Sequence, residues 1–389
     1  MFSDLLHNLE ALDAQGLLRR RRLLESAQGS QVEVDGHPYL AFCSNDYLGL
    51  ANHPALAEAL CESAKRYGVG AGASHLIVGH QTEHHRLERA LAEFSRYPEA
   101  LLFSTGYMAN MGVVSALVGR DDTVFSDKLN HASLNDAIVL SRARMQRYRH
   151  GDLAQLEQQL ASVRNGRKLV VTDAVFSMDG DIAPVPQLLT LCERYDAWLL
   201  LDDAHGFGVL GEQGRGTLEH FGLGSERIIY MATLGKAAGV LGAFVAAVPA
   251  VIETLIQRAR TYVYTTAMPP PLAAALLTSL QLMRNDLWRR QRLQELVGQL
   301  QERLAVLRQW RLMPSQTPIQ PLLIGGNQEA VRVSEALQRE GILVPAIRPP
   351  TVPKGAARLR ISLSAAHTPE NVDQLCEALL RLERGLPSV

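Results

Sequence analysis

Four polar side chains stand at or just past the ends of apolar, strand-like runs: Ser177, Asp202, His205 and Thr233, with Lys236 three residues after the last. In open α/β sheets, ligands collect beyond the carboxyl ends of the strands, so side chains gathered there from distant parts of a chain form a candidate site. The run from Trp198 to Gly208 drives a buried strand straight into Asp202 and Asp203. A buried carboxylate needs a positive partner. That partner is either a core Arg or Lys or the protonated nitrogen of a bound heterocycle. Lys236 sits in a glycine-flanked turn between Gly235 and Gly239, directly after a β-run. It is either an exposed surface lysine or a lysine held close to a ligand for Schiff-base chemistry.

Taken together, the acid and the lysine point to pyridoxal 5'-phosphate, whose ring acts as an electron sink when its pyridine nitrogen is protonated. No GxGxxG fingerprint follows the early strands, and a nicotinamide or thiamine enzyme has no use for such a lysine. Ser104 to Met111 opens a predicted helix on a small, glycine-containing turn, so Gly106 and Tyr107 can offer N–H groups to a phosphate. Many ordinary helices begin in the same way.

The elements that must position these residues are those of a mostly parallel sheet. Strand-like runs at 123–126, 168–172, 198–201, 228–231 and 242–248 alternate with helical patterns at 152–164, with Asp152 as N-cap, and at 184–195. A long helical pattern from Pro271 to about Trp310 follows. Beyond it lie a strand at 321–324, a helix at 329–339, strands at 342–345 and 359–363, and a helix after Thr368. The N-terminal segment reads as helical, with a basic cluster at Arg19–Arg22. The expected organisation is an N-terminal helical and strand segment (1–45), a large cofactor-binding domain (46–270), and a long helix with a smaller C-terminal α/β domain (271–389).

Composition narrows the class. The 389 residues carry 39 Lys+Arg against 40 Asp+Glu, a net charge of −1, so there is no basic footprint for nucleic acid. The longest apolar stretch, Val240–Ile252, is interrupted by Gly242 and Pro249 and is shorter than the roughly 20 residues a membrane span requires. The four cysteines are scattered without CxxC spacing, as expected of free thiols in a cytoplasmic protein. No secretory signal pattern opens the chain. His80 and His84 are four apart, with Glu83 and His85 beside them. The order is not H-E-x-x-H, however, and no further carboxylate is expected to be anchored nearby, so no metal site is expected.

Asp202-Asp-Ala-His205, Thr233-Leu-Gly-Lys236, Asn130-His-Ala-Ser133 and Ser177-Met-Asp-Gly180 resemble the α-oxoamine synthase family, as do Ser44–Gly49 and Leu359–His367. The match runs in order over nearly the whole chain. It implies a fold-type I, aminotransferase-like α/β enzyme. Its large domain would hold a mostly parallel central sheet sandwiched by helices, completed by the smaller C-terminal domain. The resemblance further implies pyridoxal phosphate and a decarboxylative condensation of an amino acid with an acyl thioester. Gly239–Phe244 and Arg348–Pro353 are most similar to the branch that joins L-alanine to a pimeloyl group carried on coenzyme A or acyl carrier protein. A glycine- or serine-using relative, an aminotransferase of the same fold and a non-catalytic interaction module are the competing readings.

Roles follow from the resemblance residue by residue. Lys236 would hold the cofactor and act as base, and Asp202 would pair with the pyridine nitrogen. His205 and Ser177 would meet the phenolic oxygen, with His131 stacked on the ring. Gly106, Tyr107 and Thr233 would hold the phosphate. Thr265 and Thr266 would reach the phosphate of a partner subunit, implying a homodimer with shared active sites. Arg360 would bind the amino-acid carboxylate, Arg19 the distal carboxylate of the acyl chain, and Asn45 and Thr351 other parts of the substrates. Two positions depart from the family pattern: Asp173, where Glu is common, and His75, where Arg is common.

Overall fold

The computed structural model describes residues 2–14, 17–19 and 21–385. A helix over Ser3–Ala14 precedes strands β1 (Gln31–Val34) and β2 (His37–Ala41), and helices Pro54–Tyr67 and Thr82–Ser95 follow. Next come the strands of the central sheet: β3 (Glu99–Phe103), β4 (Thr123–Asp127), β5 (Arg144–Tyr148), β6 (Lys168–Asp173), β7 (Trp198–Asp202), β8 (Ile228–Thr233) and β9 (Ala243–Ala247). The C-terminal part adds β10 (Arg311–Leu312), β11 (Ile319–Gly325), β12 (Ile342–Leu343), β13 (Ala346–Ile347), β14 (Ala357–Ser362) and the helix Pro369–Gly385.

The central sheet has seven strands in the order β3-β9-β8-β7-β6-β4-β5, with β9 antiparallel to both β3 and β8 and the pairs from β8 to β5 parallel. Period-two alternation feeds both faces. Leu199 and Leu201 of β7 enter one apolar core, and Leu200 enters the other. A sheet buried on both faces reads as a continuous apolar run, which is why β6, β7 and β8 stand out in the sequence. Because β6, β7 and β8 are parallel, Asp173, Asp202 and Thr233 all finish at one edge, and Asp173 and Asp202 are direct register partners. Of the expected helices, 152–164 forms over Leu153–Ser162, with Asp152 Oδ1 accepting the Gln155 N–H at 2.9 Å.

Three expectations need correction. The long helix after Pro271 is two helices, Pro270–Asn285 and Leu287–Leu304, broken where Asp286 takes ψ 60°. A break leaves carbonyls without helical partners. The buried Arg290 answers it, Nη1 donating to Met283 O at 2.7 Å and Nη2 to Glu212 O at 3.0 Å. The first helix packs on Pro54–Tyr67 and Thr82–Ser95, the second on Pro369–Gly385. The strand expected at 342–345 forms only over Ile342–Leu343, and it pairs in parallel with β2 rather than joining the C-terminal sheet. A hydrophobic pattern does not state its partner, and here it ties the N-terminal strands to the C-terminal part. Finally, the N-terminal helix ends at Ala14, so Arg19, Arg21 and Arg22 lie beyond it, while Gly16 and Arg20 fall outside the described residues.

Among the described residues, no helix is long and apolar enough to cross a membrane, and all four cysteines are free thiols. The interhelical break generates a prediction. Arg290→Met removes two charged hydrogen bonds from buried carbonyls and should destabilise the fold by roughly 2–4 kcal/mol in urea titration. A change below about 0.5 kcal/mol, the scale of neutral surface substitutions, would show that Arg290 does not support the break.

Candidate active site

The edge where β6, β7 and β8 end walls a cavity of about 200 Å³. It is lined by Gly106, Tyr107, Asn110, His131, Ser177 and Asp202, together with His205, Thr233 and Lys236. They come from the helix Gly106–Leu117, the start of the helix Ala132–Ser141 and the chain following β6, β7 and β8, so the chain's topology, not local sequence, assembles the site.

Asp202 closes β7 and is 5% exposed. Its Oδ2 accepts from Asn110 Nδ2 at 2.8 Å, and its Oδ1 accepts from the Ala204 N–H at 3.1 Å. Among the described residues it has no ion pair, so the core salt bridge left open by the sequence is not what this carboxylate makes. Asn110 lies on the apolar helix Gly106–Leu117, also donates to Ser133 Oγ at 2.9 Å, and leaves its buried Oδ1 without a partner. Asp173, beside Asp202 in register, accepts the His131 N–H at 3.3 Å. Burial together with the Asp202 charge pushes its carboxyl well above the usual carboxylate range.

Lys236 is half-buried, with Nζ 2.8 Å from His205 Nε2. Desolvation outweighs the attraction of Asp202 and Asp173 and brings the amine down to about 8. His205 is buried, and desolvation plus the Lys236 and Arg360 charges push it well below its ordinary value, leaving the imidazole neutral. With Lys236 Nζ donating to Nε2, Nδ1–H donates to Tyr47 Oη at 2.7 Å. Tyr47 O–H then donates to Asn45 Oδ1 at 3.1 Å. The same Asn45 oxygen accepts from Arg360 Nη2 at 3.2 Å. Arg360 itself, on β14, is 6% exposed and is clamped by Ser177 O at 2.6 Å and Ser362 Oγ at 2.8 Å.

His131 caps the helix Ala132–Ser141 and contacts Ser133 Oγ through Nδ1 at 2.7 Å, which fixes its ring at the cavity wall. Gly106 and Tyr107 open their twelve-residue helix behind the Thr105 cap, and the Tyr107 hydroxyl bonds Asp136. Thr233 Oγ1 donates to Gly242 O at 3.0 Å and accepts the Gly235 N–H at 3.3 Å, fixing the turn that carries Lys236.

Other expected residues are not brought to the cavity within this chain. Thr265 and Thr266 follow the short helix Arg260–Val263, and Thr351 and Arg19 are exposed. His75 does not line the cavity either; it is buried and stacked on Tyr262 at 4.9 Å. Tyr47, Asn110 and Ser133 join the hydrogen bonds around the site without having been assigned a role from the sequence, although Ser133 and Tyr47 lie in the segments Asn130–Ser133 and Ser44–Gly49. A polar Asn on an otherwise apolar helix was the signal for the second. Tyr47 carried none beyond its place in the segment Ser44–Gly49.

The donor set fits pyridoxal phosphate. A buried carboxylate with only neutral partners faces the cavity, an amine of lowered basicity stands opposite, and a helix start with free N–H groups lies on the wall.

Comparison with known proteins agrees. The family model for class I and II aminotransferases matches residues 37–379. A curated 8-amino-7-oxononanoate synthase from Nitrosospira multiformis is 65% identical over 96% of this chain and 94% of its own length. Among solved structures, an 8-amino-7-oxononanoate synthase from Francisella tularensis is 33% identical, with a TM-score of 0.78 over 89% of this chain and 98% of that one. A serine palmitoyltransferase from S. paucimobilis with bound pyridoxal phosphate–myriocin aldimine superposes at a TM-score of 0.92, with 28% identity over 98% of this chain and 97% of that one. With a full-length family match and relatives of this identity, the chain belongs to the class I and II aminotransferase family, in its 8-amino-7-oxononanoate synthase branch.

Proposed function

We propose that the chain is a pyridoxal-phosphate-dependent acyltransferase. It joins L-alanine to a pimeloyl thioester, carried on coenzyme A or acyl carrier protein. The products are 8-amino-7-oxononanoate, carbon dioxide and the free thiol, a step of biotin biosynthesis. The observation that carries the reading is the pairing of Lys236 and Asp202 across one cavity, an amine of lowered basicity facing a buried carboxylate without a cation. The 8-amino-7-oxononanoate synthase relatives support this substrate pair over the glycine-using alternative.

Bound pyridoxal phosphate supplies a protonated ring that draws off the electron pair left when a proton or a carboxylate departs from the amino acid. Asp202 keeps the ring nitrogen protonated, and Asn110 and the Ala204 N–H hold the carboxylate in place for that task. His131 would cover the ring, and His205 and Ser177 would face its phenolic oxygen. Gly106, Tyr107 and Thr233 would take the phosphate, using the N–H groups of the helix start. Lys236 Nζ would hold the cofactor through its aldehyde carbon, and as a free amine it would accept the α-proton of the amino acid. Neutral His205 accepts a hydrogen bond from Nζ and so orients it without adding positive charge.

Of the five N–H groups of Arg360, three are engaged by Ser177, Ser362 and Asn45. The two remaining can pair with the planar carboxylate of alanine. Asn45 thus touches the substrate side, and Thr351 and Arg19 are assigned to the acyl chain and its distal carboxylate. We assign Thr265 and Thr266 to the partner's phosphate in a homodimer. Val69, Ile77, Val78, Val139 and Tyr264 are exposed apolar or aromatic side chains that a partner subunit would cover in that assembly. The free thiols are in keeping with a cytoplasmic enzyme.

Thiol release followed with alanine, glycine and serine against pimeloyl and short-chain thioesters tests the substrates. Alanine with pimeloyl thioester should be preferred, and activity confined to glycine defeats the assignment. Lys236→Ala should cut thiol release by on the order of a thousandfold or more, and the yellow colour should be lost on dialysis. A variant that stays yellow and active removes Lys236 from the chemistry. The lowered basicity of Lys236 also sets a pH dependence. Below about 8 the amine is protonated and cannot attack an aldehyde, and above it the free base dominates. The rate of cofactor capture by cofactor-stripped protein should therefore rise through about pH 8 and then level. A rise centred near 10.5, the ordinary lysine value, would show that burial does not tune the group.

A further inference from the structure

Between the helix Thr82–Ser95 and the segment just before it, folding brings together a second set of side chains that the reaction does not use. His85 and Glu88 are three residues apart on the helix Thr82–Ser95, a spacing that places them on one face. His80 ends the short helical segment His75–Gly79 just before that helix and turns Nε2 toward Glu88 Oε2 at 3.7 Å. Ligand atoms of His80, His85 and Glu88 all lie within 4.8 Å of one another. Sequence reading set this region aside for want of an anchored carboxylate. Glu88 is that carboxylate, paired through space with His80 and not with His84.

We propose that His80, His85 and Glu88 form a binding site for one divalent transition-metal ion of the Zn²⁺ class. Two imidazoles and a carboxylate are a common zinc donor set, and such three-ligand sites keep an outward position for water. Exposed His85 gives this one its open side. The remaining atom of each inner ligand is already tied, as metal ligands require of their outer partners. His80 Nδ1 contacts His75 Nδ1 at 3.0 Å, and Glu88 Oε1 accepts the Leu102 N–H at 3.0 Å. His75 is held in turn by stacking on Tyr262.

Among the described residues, Glu88 has no ion pair other than the one to His80. A divalent cation supplies the missing charge, and the neutral imidazole is the form that binds it. The neighbouring trio of His75, His80 and His84 is also tightly clustered. His84 is spent, however, with Nδ1 accepting the Gln81 N–H at 3.0 Å and Nε2 bonded to Met268 O at 2.7 Å. The ion would tie the helix Thr82–Ser95 to the segment that carries exposed Leu76, Ile77 and Val78.

The test uses chelator-treated holoenzyme, in which the cofactor already occupies the catalytic cavity, titrated with Zn²⁺ by calorimetry. Co²⁺ is added in parallel as a visible probe of coordination. One ion per chain is expected, with d–d absorption on Co²⁺ addition. His85→Gln, at an exposed position that does not threaten folding, and Glu88→Gln should each weaken binding at least about tenfold, the scale seen even when an outer-shell partner is lost. His7→Gln, at an exposed position on the N-terminal helix, should not. No saturable binding by the wild type, or undiminished binding by His85→Gln, overturns the proposal.

Discussion

Asp202 is a carboxylate kept out of water and given no cation of its own. It ends a strand buried between two parallel neighbours, and its hydrogen-bond partners among the described residues are an amide and a backbone N–H. Neutral donors lower the cost of burying a charge but do not remove it. The rest of the site takes its electrical character from the same desolvation. Asp173, one strand away, is driven toward its protonated form by sharing that environment with Asp202, and Lys236 loses basicity although two acids face it. His205 stays neutral between them. The protein therefore stores an unbalanced field that a cationic ring nitrogen would relieve, a local cost of the kind that proteins carry at functional sites and offset elsewhere.

Holding that field in place is work for the whole sheet. Asp202 cannot relax toward solvent, because β6 and β8 flank it and apolar layers cover both faces. Its orientation depends on Asn110, whose helix packs on the face opposite to the one where Tyr47 approaches. The lysine side is fixed separately, by the Thr233 hydroxyl bridging its own turn to Gly242. One wall joins residues 92 positions apart, Asn110 and Asp202, while the other is tied locally, from Thr233 to Gly242.

This division explains how much could be read from the sequence. β6, β7 and β8 were legible because strands buried on both faces leave continuous apolar runs. Asp202, His205, Thr233 and Lys236 were legible because such runs end abruptly in polar residues. Tyr47 and Asn110 were not, since their importance lies in which atoms they meet across the fold. The helix break at Asp286 escaped notice because its carbonyls are satisfied by Arg290, and periodicity carries no record of that bond. Glu88 escaped for the opposite reason: its helical spacing looks ordinary until the turn at Gly79 brings His80 back over it. Arg19, Thr351, Thr265 and Thr266 rest on family resemblance, and the isolated chain does not bring them to the cavity.

The hydrogen-bonded path from Lys236 through His205, Tyr47 and Asn45 to Arg360 joins the amine to the cation assigned to the substrate carboxylate. Arg360 also acts on Lys236 directly, because its charge is one of the influences that lower the amine's basicity. A carboxylate seated on the two free N–H groups of Arg360 would cancel much of that field. Lys236 would then gain basicity with an amino acid in place, relative to the open site where the Arg360 charge helps hold it down to about 8. The coupling works because the groups between the two ends are neutral. A protonated His205 in the middle would add a charge of its own next to Nζ, and the carboxylate's effect would reach an amine already held down.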